Sequence, residues 1–253
     1  MKEEFSLNDK VAIVTGASKG IGESIARLFA AHGAKVVVSS RKQAAVDEVA
    51  ESIRQNGGDA IGIEAHMGKM DSIKTLVDKT VEHYGKIDVI VNNAATNPVF
   101  GPVENCDESA FDKIMDVNVK GCFELAKLAL PSMKTAGGGS IINLSSIGGL
   151  RPEPGLGIYS VSKAALIMLT KVMAKEWGRH NVRANVICPG LIKTKFSEAL
   201  WKNEKIGEHF MKNLPISRIG VPEDIARLAL FLAADASSYS TGSVFTSDGG
   251  FLI

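Results

Sequence analysis

Apolar residues follow two alternating rhythms along this chain. Short β-branched runs occur as VAIVT at 11–15, KVVVSS at 35–40, AIGIEA at 60–65, DVIVNN at 88–93, SIINLSS at 140–146, RANVICP at 183–189 and SVFTS at 243–247. Between them lie longer stretches whose apolar positions return every three to four residues, at 21–32, 44–55, 72–84, 107–133, 158–179 and 222–234. Strand, helix, strand in repetition predicts parallel strands joined by right-handed crossovers, with helices on both faces. The expected fold class is therefore α/β, a doubly wound sheet of about seven parallel strands. No Pro/Ser-rich linker, charge run or repeat interrupts the rhythm, so residues 1–253 read as a single domain. The least regular stretch, 191–215, carries Phe196, Leu200, Trp201, Phe210 and Met211. Such an insertion reads either as a lid over a site or as a surface helical pair packing its own apolar side.

Composition narrows the partners. With 45% hydrophobic residues among 253, the chain can bury a substantial core, and a net charge of +1 offers no clustered basic surface for nucleic acid or an anionic membrane. Cys106, Cys122 and Cys188 are odd in number, lack CxxC spacing and sit in apolar surroundings, which suits core packing in a reducing cytoplasm. The opening MKEEFSLNDK has no apolar stretch of signal-peptide type, and a cytoplasmic location is expected. His32, His83, His180 and His209 show no metal-ligand spacing, so no metal is expected.

Directly after the first strand, Thr15 leads into Gly16, Ala17, Ser18, Lys19, Gly20, Ile21 and Gly22, with a helix following at once. Glycines there let backbone approach a pyrophosphate, and the helix's first N–H groups attract it. The second strand ends Ser39-Ser40-Arg41-Lys42, with no carboxylate to bind a ribose 2′-hydroxyl. Arg41 instead offers a forked donor suited to a 2′-phosphate, and Lys19 a second cation, so NADPH/NADP is the expected cofactor. Tyr159 and Lys163 lie one helical turn apart, which brings an ammonium near a phenol. Moving a phenol from its usual ~10 to neutrality takes roughly 4 kcal/mol of preferential phenolate stabilisation.

TGASKGIG, NNAA at 92–95, Asn118 in DVNVKG, Ser145-Ser146, YSVSK and PGLIKT at 189–194 occur in the order found in short-chain dehydrogenase/reductases, which the chain resembles from about Asn8 onwards. SSRK, NNAATNP and PGLIKTKFS followed by Trp201 look most like the NADPH-dependent retinal and carbonyl reductases of the SDR family member 4 type. The resemblance implies a Rossmann fold and a catalytic tetrad of Asn118, Ser146, Tyr159 and Lys163. Ser146 and Tyr159 would bind the carbonyl oxygen, Tyr159 would deliver the proton, Lys163 would lower the phenol's pKa and hold the nicotinamide ribose, and Asn118 would position a water. It further implies cofactor contacts at Gly16, Ser18, Lys19, Gly20, Ile21, Gly22, Ser40, Arg41, Met67, Asn92, Ala94, Pro189, Gly190, Ile192 and Thr194. An apolar substrate pocket walled by Ile147, Leu156, Phe196, Leu200 and Trp201 is expected. The implied reaction is reversible reduction of small ketones or aldehydes. A β-ketoacyl carrier-protein reductase, a hydroxysteroid or sugar dehydrogenase, and a catalytically silent NADP-binding sensor remain alternatives, and a homotetramer is the implied assembly. Two positions depart from the family pattern: Ala95 stands where glycine is usual, and His66 where an aspartate often meets the adenine.

Overall fold

The computed structural model describes residues 3–202 and 210–253. Its strands are β1 (Val11–Thr15), β2 (Lys35–Ser40), β3 (Asp59–Glu64), β4 (Val89–Asn92), β5 (Gly139–Leu144), β6 (Val182–Pro189) and β7 (Val244–Ser247). They form one sheet in the order β3-β2-β1-β4-β5-β6-β7, every neighbouring pair parallel. Helices α1 (Gly20–Ala31), α2 (Gln43–Gln55), α3 (Met70–Tyr84), α4 (Glu108–Met115), α5 (Gly121–Thr135), α6 (Gly157–Trp177), α7 (Glu198–Trp201) and α8 (Pro222–Ala233) connect or flank them.

The strands read as near-continuous apolar runs because both faces are covered. Val14, Val36 and Val38 face a core shared with Ile25, Phe29 and Leu232, whereas Ile13, Val37 and Ile90 face one shared with Leu76, Leu125 and Met133. Successive strand residues thus supply opposite layers. Strand order reverses between β1 and β4, and a doubly wound sheet opens its ligand crevice beyond the strands' carboxyl ends at such a reversal.

Two helical spans differ from the sequence expectation. The stretch 107–133 is helical from Glu108 on but not uniformly α: a π-turn at Asp116–Lys120 separates α4 from α5. The span 158–179 ends as α6 followed by a 3-10 turn at Gly178–His180. The 24-residue span Gly157–His180, with mean hydropathy 1.2, is long and apolar enough to cross a membrane by length and composition. Half of it is buried inside the fold, and it carries Lys163 on its buried side.

Candidate active site

α6 follows the loop after β5, and its first two turns carry Tyr159 and Lys163, 8% and 2% exposed. Lys163 Nζ donates to the carbonyl of Leu144, the last residue of β5, at 2.7 Å and lies 5.6 Å from the centre of the Tyr159 ring. Ser146, two residues beyond β5, has extended backbone; its hydroxyl accepts from Gly148 N–H at 3.0 Å and lies near enough to the Tyr159 phenol to favour its ionisation. Its neighbour Ser145 turns the other way and donates to the carbonyl of Lys163 at 2.8 Å, which fastens α6 to the end of β5.

Asn118 sits within the π-turn and is fully buried. Its Oδ1 accepts from Thr96 N–H at 2.8 Å, while Nδ2 donates to Thr96 O and to Ser162 Oγ, both at 3.0 Å. Ser162 in turn donates to the Tyr159 carbonyl at 2.7 Å. Single-turn π-bulges recur at functional sites, and here one delivers an amide to the start of the helix that bears the tyrosine and lysine.

Burial governs the electrostatics. It pushes the Tyr159 phenol up to about 12, against the pull of the Ser146 hydrogen bond. It brings the Lys163 ammonium down to about 8, with the Cys122 and Cys188 thiols acting in the opposite sense. The family resemblance led to the expectation that Lys163 acidifies the phenol. In the protein alone the dry surroundings dominate the phenol, and Lys163 Nζ lies 5.6 Å from the centre of its ring.

The glycine loop lies across the crevice from this cluster. Gly16 and Gly20 both have φ of 63°, a left-handed conformation that side chains disfavour. Lys19 enters α1 with extended backbone and gives no side-chain hydrogen bond to the first turn. That turn's N–H groups are therefore available to an anion, which fits a dinucleotide pyrophosphate. A Cβ on Gly20 would come within 3.3 Å of Thr194 Cγ2, so the segment after β6 passes over the loop. Lys19 and Arg41 are exposed, and Ser18 and Ser40 are half-buried.

A family model described as enoyl-(acyl carrier protein) reductase matches residues 16–252. Dehydrogenase/reductase SDR family member 4 of Sus scrofa is 43% identical over 244 residues, 96% of this chain and 88% of that protein. The Homo sapiens protein of the same name is 43% identical over 250 residues, 99% of this chain and 90% of that one. The chain belongs to the short-chain dehydrogenase/reductase family. Among solved structures, a 7α-hydroxysteroid dehydrogenase complexed with NADH and 7-oxo glycochenodeoxycholic acid superposes with a TM-score of 0.95 at 34% identity, covering 99% of this chain and 97% of that one. A gluconate 5-dehydrogenase from Burkholderia cenocepacia in complex with NADP and tartrate gives 0.95 at 29% identity, covering 98% and 97%. As a short-chain dehydrogenase/reductase, the protein is an NAD(P)-dependent oxidoreductase that interconverts carbonyls and alcohols.

Several expected contacts of this short-chain dehydrogenase/reductase differ in detail. Asn92 does not line the groove with its side chain, which is buried and donates to Asn143 Oδ1 at 2.8 Å and Cys122 O at 3.2 Å. Its neighbour Asn93, absent from the sequence reading, donates to Thr15 O at 2.9 Å and Gly16 O at 3.2 Å, clamping β4 to the glycine loop. Thr15 Oγ1 accepts from Asn93 and Ala94 N–H, both at 3.1 Å. The doubled asparagine at 92–93 was the available signal, but strand alternation sends the two side chains to different tasks. The Met67 side chain is buried in the core, as is that of Ile192, so only their main chains can face a ligand. Thr194 instead exchanges hydrogen bonds with Ser197. A cleft of about 570 Å³ opens away from Tyr159, between His66 and Gly68 on one side and Glu108, Asp112 and Lys113 on the other.

The pocket residues separate into three groups. Phe196, 58% exposed, holds its ring 6.2 Å from that of Tyr159, and Leu156 and Leu200 are half-buried. Ile147 is packed beneath the surface against Leu214 and Phe251. Trp201 is no bare apolar wall: Nε1 donates to Thr194 O at 2.9 Å, and the Lys193 and Lys202 ammoniums lie 5.2 and 5.6 Å from its ring. Of the irregular stretch 191–215, residues 203–209, His209 among them, lie outside the described residues.

Proposed function

We propose that this enzyme reduces ketones and aldehydes reversibly with NADPH, with Tyr159 as proton donor. What carries the reading is the meeting of Tyr159, Lys163, Ser146 and the Asn118 network opposite a glycine loop whose helix start is uncapped. The Ser146 and Tyr159 hydroxyls hold the carbonyl oxygen, and Tyr159 transfers its proton to that oxygen as it becomes an alkoxide. The dinucleotide, when bound, supplies the hydride. A phenol held protonated by burial suits the reducing direction, while Lys163 is placed to favour the phenolate in the reverse one. Asn118 keeps the π-turn against Thr96 and Ser162 and so maintains the entry of α6.

Exposed Arg41 at the end of β2, with Lys19 in the loop and no carboxylate at that strand end, supports NADPH over NADH. The outer face of α6 supports a homotetramer: Val161, Met168 and Val172 are 52%, 60% and 44% exposed along one stripe, with Phe111 of α4 also exposed. Steady-state assays test the reading directly. Tyr159→Phe is expected to lower kcat by about 10²–10⁴-fold while NADPH still binds. Unchanged carbonyl-dependent NADPH oxidation would remove Tyr159 from the reaction. Arg41→Ala should weaken NADPH binding by about 10–100-fold, the worth of a charge-assisted hydrogen bond, and leave NADH binding alone; equal efficiency of the two cofactors with the unaltered enzyme would refute the preference.

A further inference from the structure

The C-terminal turn is joined to the active site through side chains that the reaction itself does not use. Asp248 follows β7, and its carboxylate accepts from Gly250 N–H at 3.0 Å and Leu252 N–H at 3.1 Å, folding the chain end back on itself. Gly249 and Gly250 take the left-handed φ values of 69° and 88° that this reversal needs. The turn is also crowded. A Cβ on Gly250 would lie 2.8 Å from Pro215 Cγ, and one on Gly249 would lie 3.0 Å from Leu214 Cδ2. Ile216 N–H donates to the Gly249 carbonyl at 3.0 Å, so the stretch at 214–216 is tied to the turn by main chain as well as by packing.

Phe251 projects from this turn and is 6% exposed. Its ring stacks on Phe210 with centroids 4.5 Å apart and planes at 21°. The same cluster contains Leu214 and Ile147, the residue directly after Ser146. The turn touches the end of β6 too: Gly190 N–H donates to the Ser247 carbonyl at 3.0 Å, and a Cβ on Gly190 would meet Asp248 Cα at 2.7 Å. One aromatic side chain therefore links the segment after the catalytic serine with the return limb of the irregular stretch.

We infer that Phe251 is a positioning residue for substrate selection: by holding Phe210 and Leu214 against Ile147, it fixes the buried apolar packing beside Ser146 that backs the wall large carbonyl substituents contact. The inference rests on the carbonyl-reductase reading given above. Deleting the ring leaves a void that its neighbours fill incompletely, and the wall loses its fixed position. Small carbonyls, which reach only the Ser146 and Tyr159 hydroxyls, depend on it less.

The test compares Phe251→Ala and Phe251→Leu with the unaltered enzyme on two methyl ketones, acetone and acetophenone. In the alanine variant the acetophenone-to-acetone ratio of kcat/KM is expected to fall by about 10-fold, the size of one lost apolar contact, through the KM for acetophenone. Leucine should restore at least half of that ratio on a logarithmic scale. NADPH affinity, read by fluorescence titration, should stay within about two-fold, since a uniform loss of fold would lower it together with the ratio. Limited proteolysis between 193 and 216 should accelerate in the alanine variant. An unchanged ratio in both variants, or a ratio that falls only in step with NADPH affinity, overturns the inference. If the unaltered enzyme reduces neither ketone, the carbonyl reading fails instead; the coupling is then judged by proteolysis alone, and equal cleavage rates in folded alanine variant and unaltered enzyme overturn it.

Discussion

Lys163 is an ammonium held among apolar neighbours and the thiols of Cys122 and Cys188, and burial brings it down from 10.5 to about 8. A displacement of that size corresponds to about 3 kcal/mol against the charged form. Because the folded value lies below the unfolded one, the unfolded chain binds more protons between about pH 8 and 10.5, and stability rises with pH across that window. Below pH 8 both states are protonated and the full penalty stands. Lys163→Met keeps the apolar stem and removes the charge, at the loss of the 2.7 Å bond to Leu144 O. It should raise Tm at pH 7 by roughly 2–8 °C while abolishing turnover, and the gain should shrink towards pH 10. Thermal melts at the two pH values check this; a lower Tm at pH 7 would mean that the carbonyl bond outweighs desolvation. The closeness of Lys163 to Tyr159 was legible because a four-residue spacing on a helix is geometrically binding, whereas Ser146 came only from the family resemblance. The sequence could not give the direction of the phenol's shift, which depends on how completely the β5 end and α6 exclude water.

At the level of elements, the strands and most helices lie within two residues of their expected limits because a parallel sheet covered on both faces forces long apolar runs onto every strand. The π-turn inside the 107–133 helix was not legible. A π-turn inserts one residue into a helical turn, and apolar periodicity over DVNVKG changes too little to mark it. What selects it is tertiary: Gly121 packs against the Met67 carbonyl, where a Cβ has no room, and Asn118 finds both main-chain groups of Thr96. A similar constraint governs the start of α1. Gly22 is helical and needs no special φ; what it needs is space, since a Cβ would lie 2.5 Å from Asn93 Nδ2 and 2.6 Å from the Gly16 carbonyl. Gly22→Ala should therefore displace the asparagine that clamps β4 to the glycine loop. We expect a loss of about 1–3 kcal/mol in chemical denaturation together with weaker dinucleotide binding. Normal NADPH affinity in the alanine variant would show that the Asn93 clamp does not shape the phosphate loop.

For the whole molecule, α6 is a helix with two duties. Its inner face presents Tyr159 and Lys163 to the crevice, and its outer face leaves Val161, Met168 and Val172 to solvent in a single subunit. Positions 161, 168 and 172 are seven and four residues apart and fall on one stripe, a continuous apolar edge that monomers seldom leave uncovered. In a homo-oligomer with two-fold symmetry the same stripe meets itself, so Met168 of two copies would approach each other near the axis. Met168→Glu then sets two carboxylates together in a drying interface, where neither has a partner, and should lower the mass measured by light scattering at micromolar protein. Val81→Glu makes the same change on α3, at a residue 37% exposed on a different helix, and should leave the mass as it was. Because the stripe and the catalytic pair share one helix, dissociation should also loosen the site. The Met168→Glu protein should therefore recover activity as its concentration rises towards reassociation, whereas a mass that stays constant in both variants would assign the assembly to some other face.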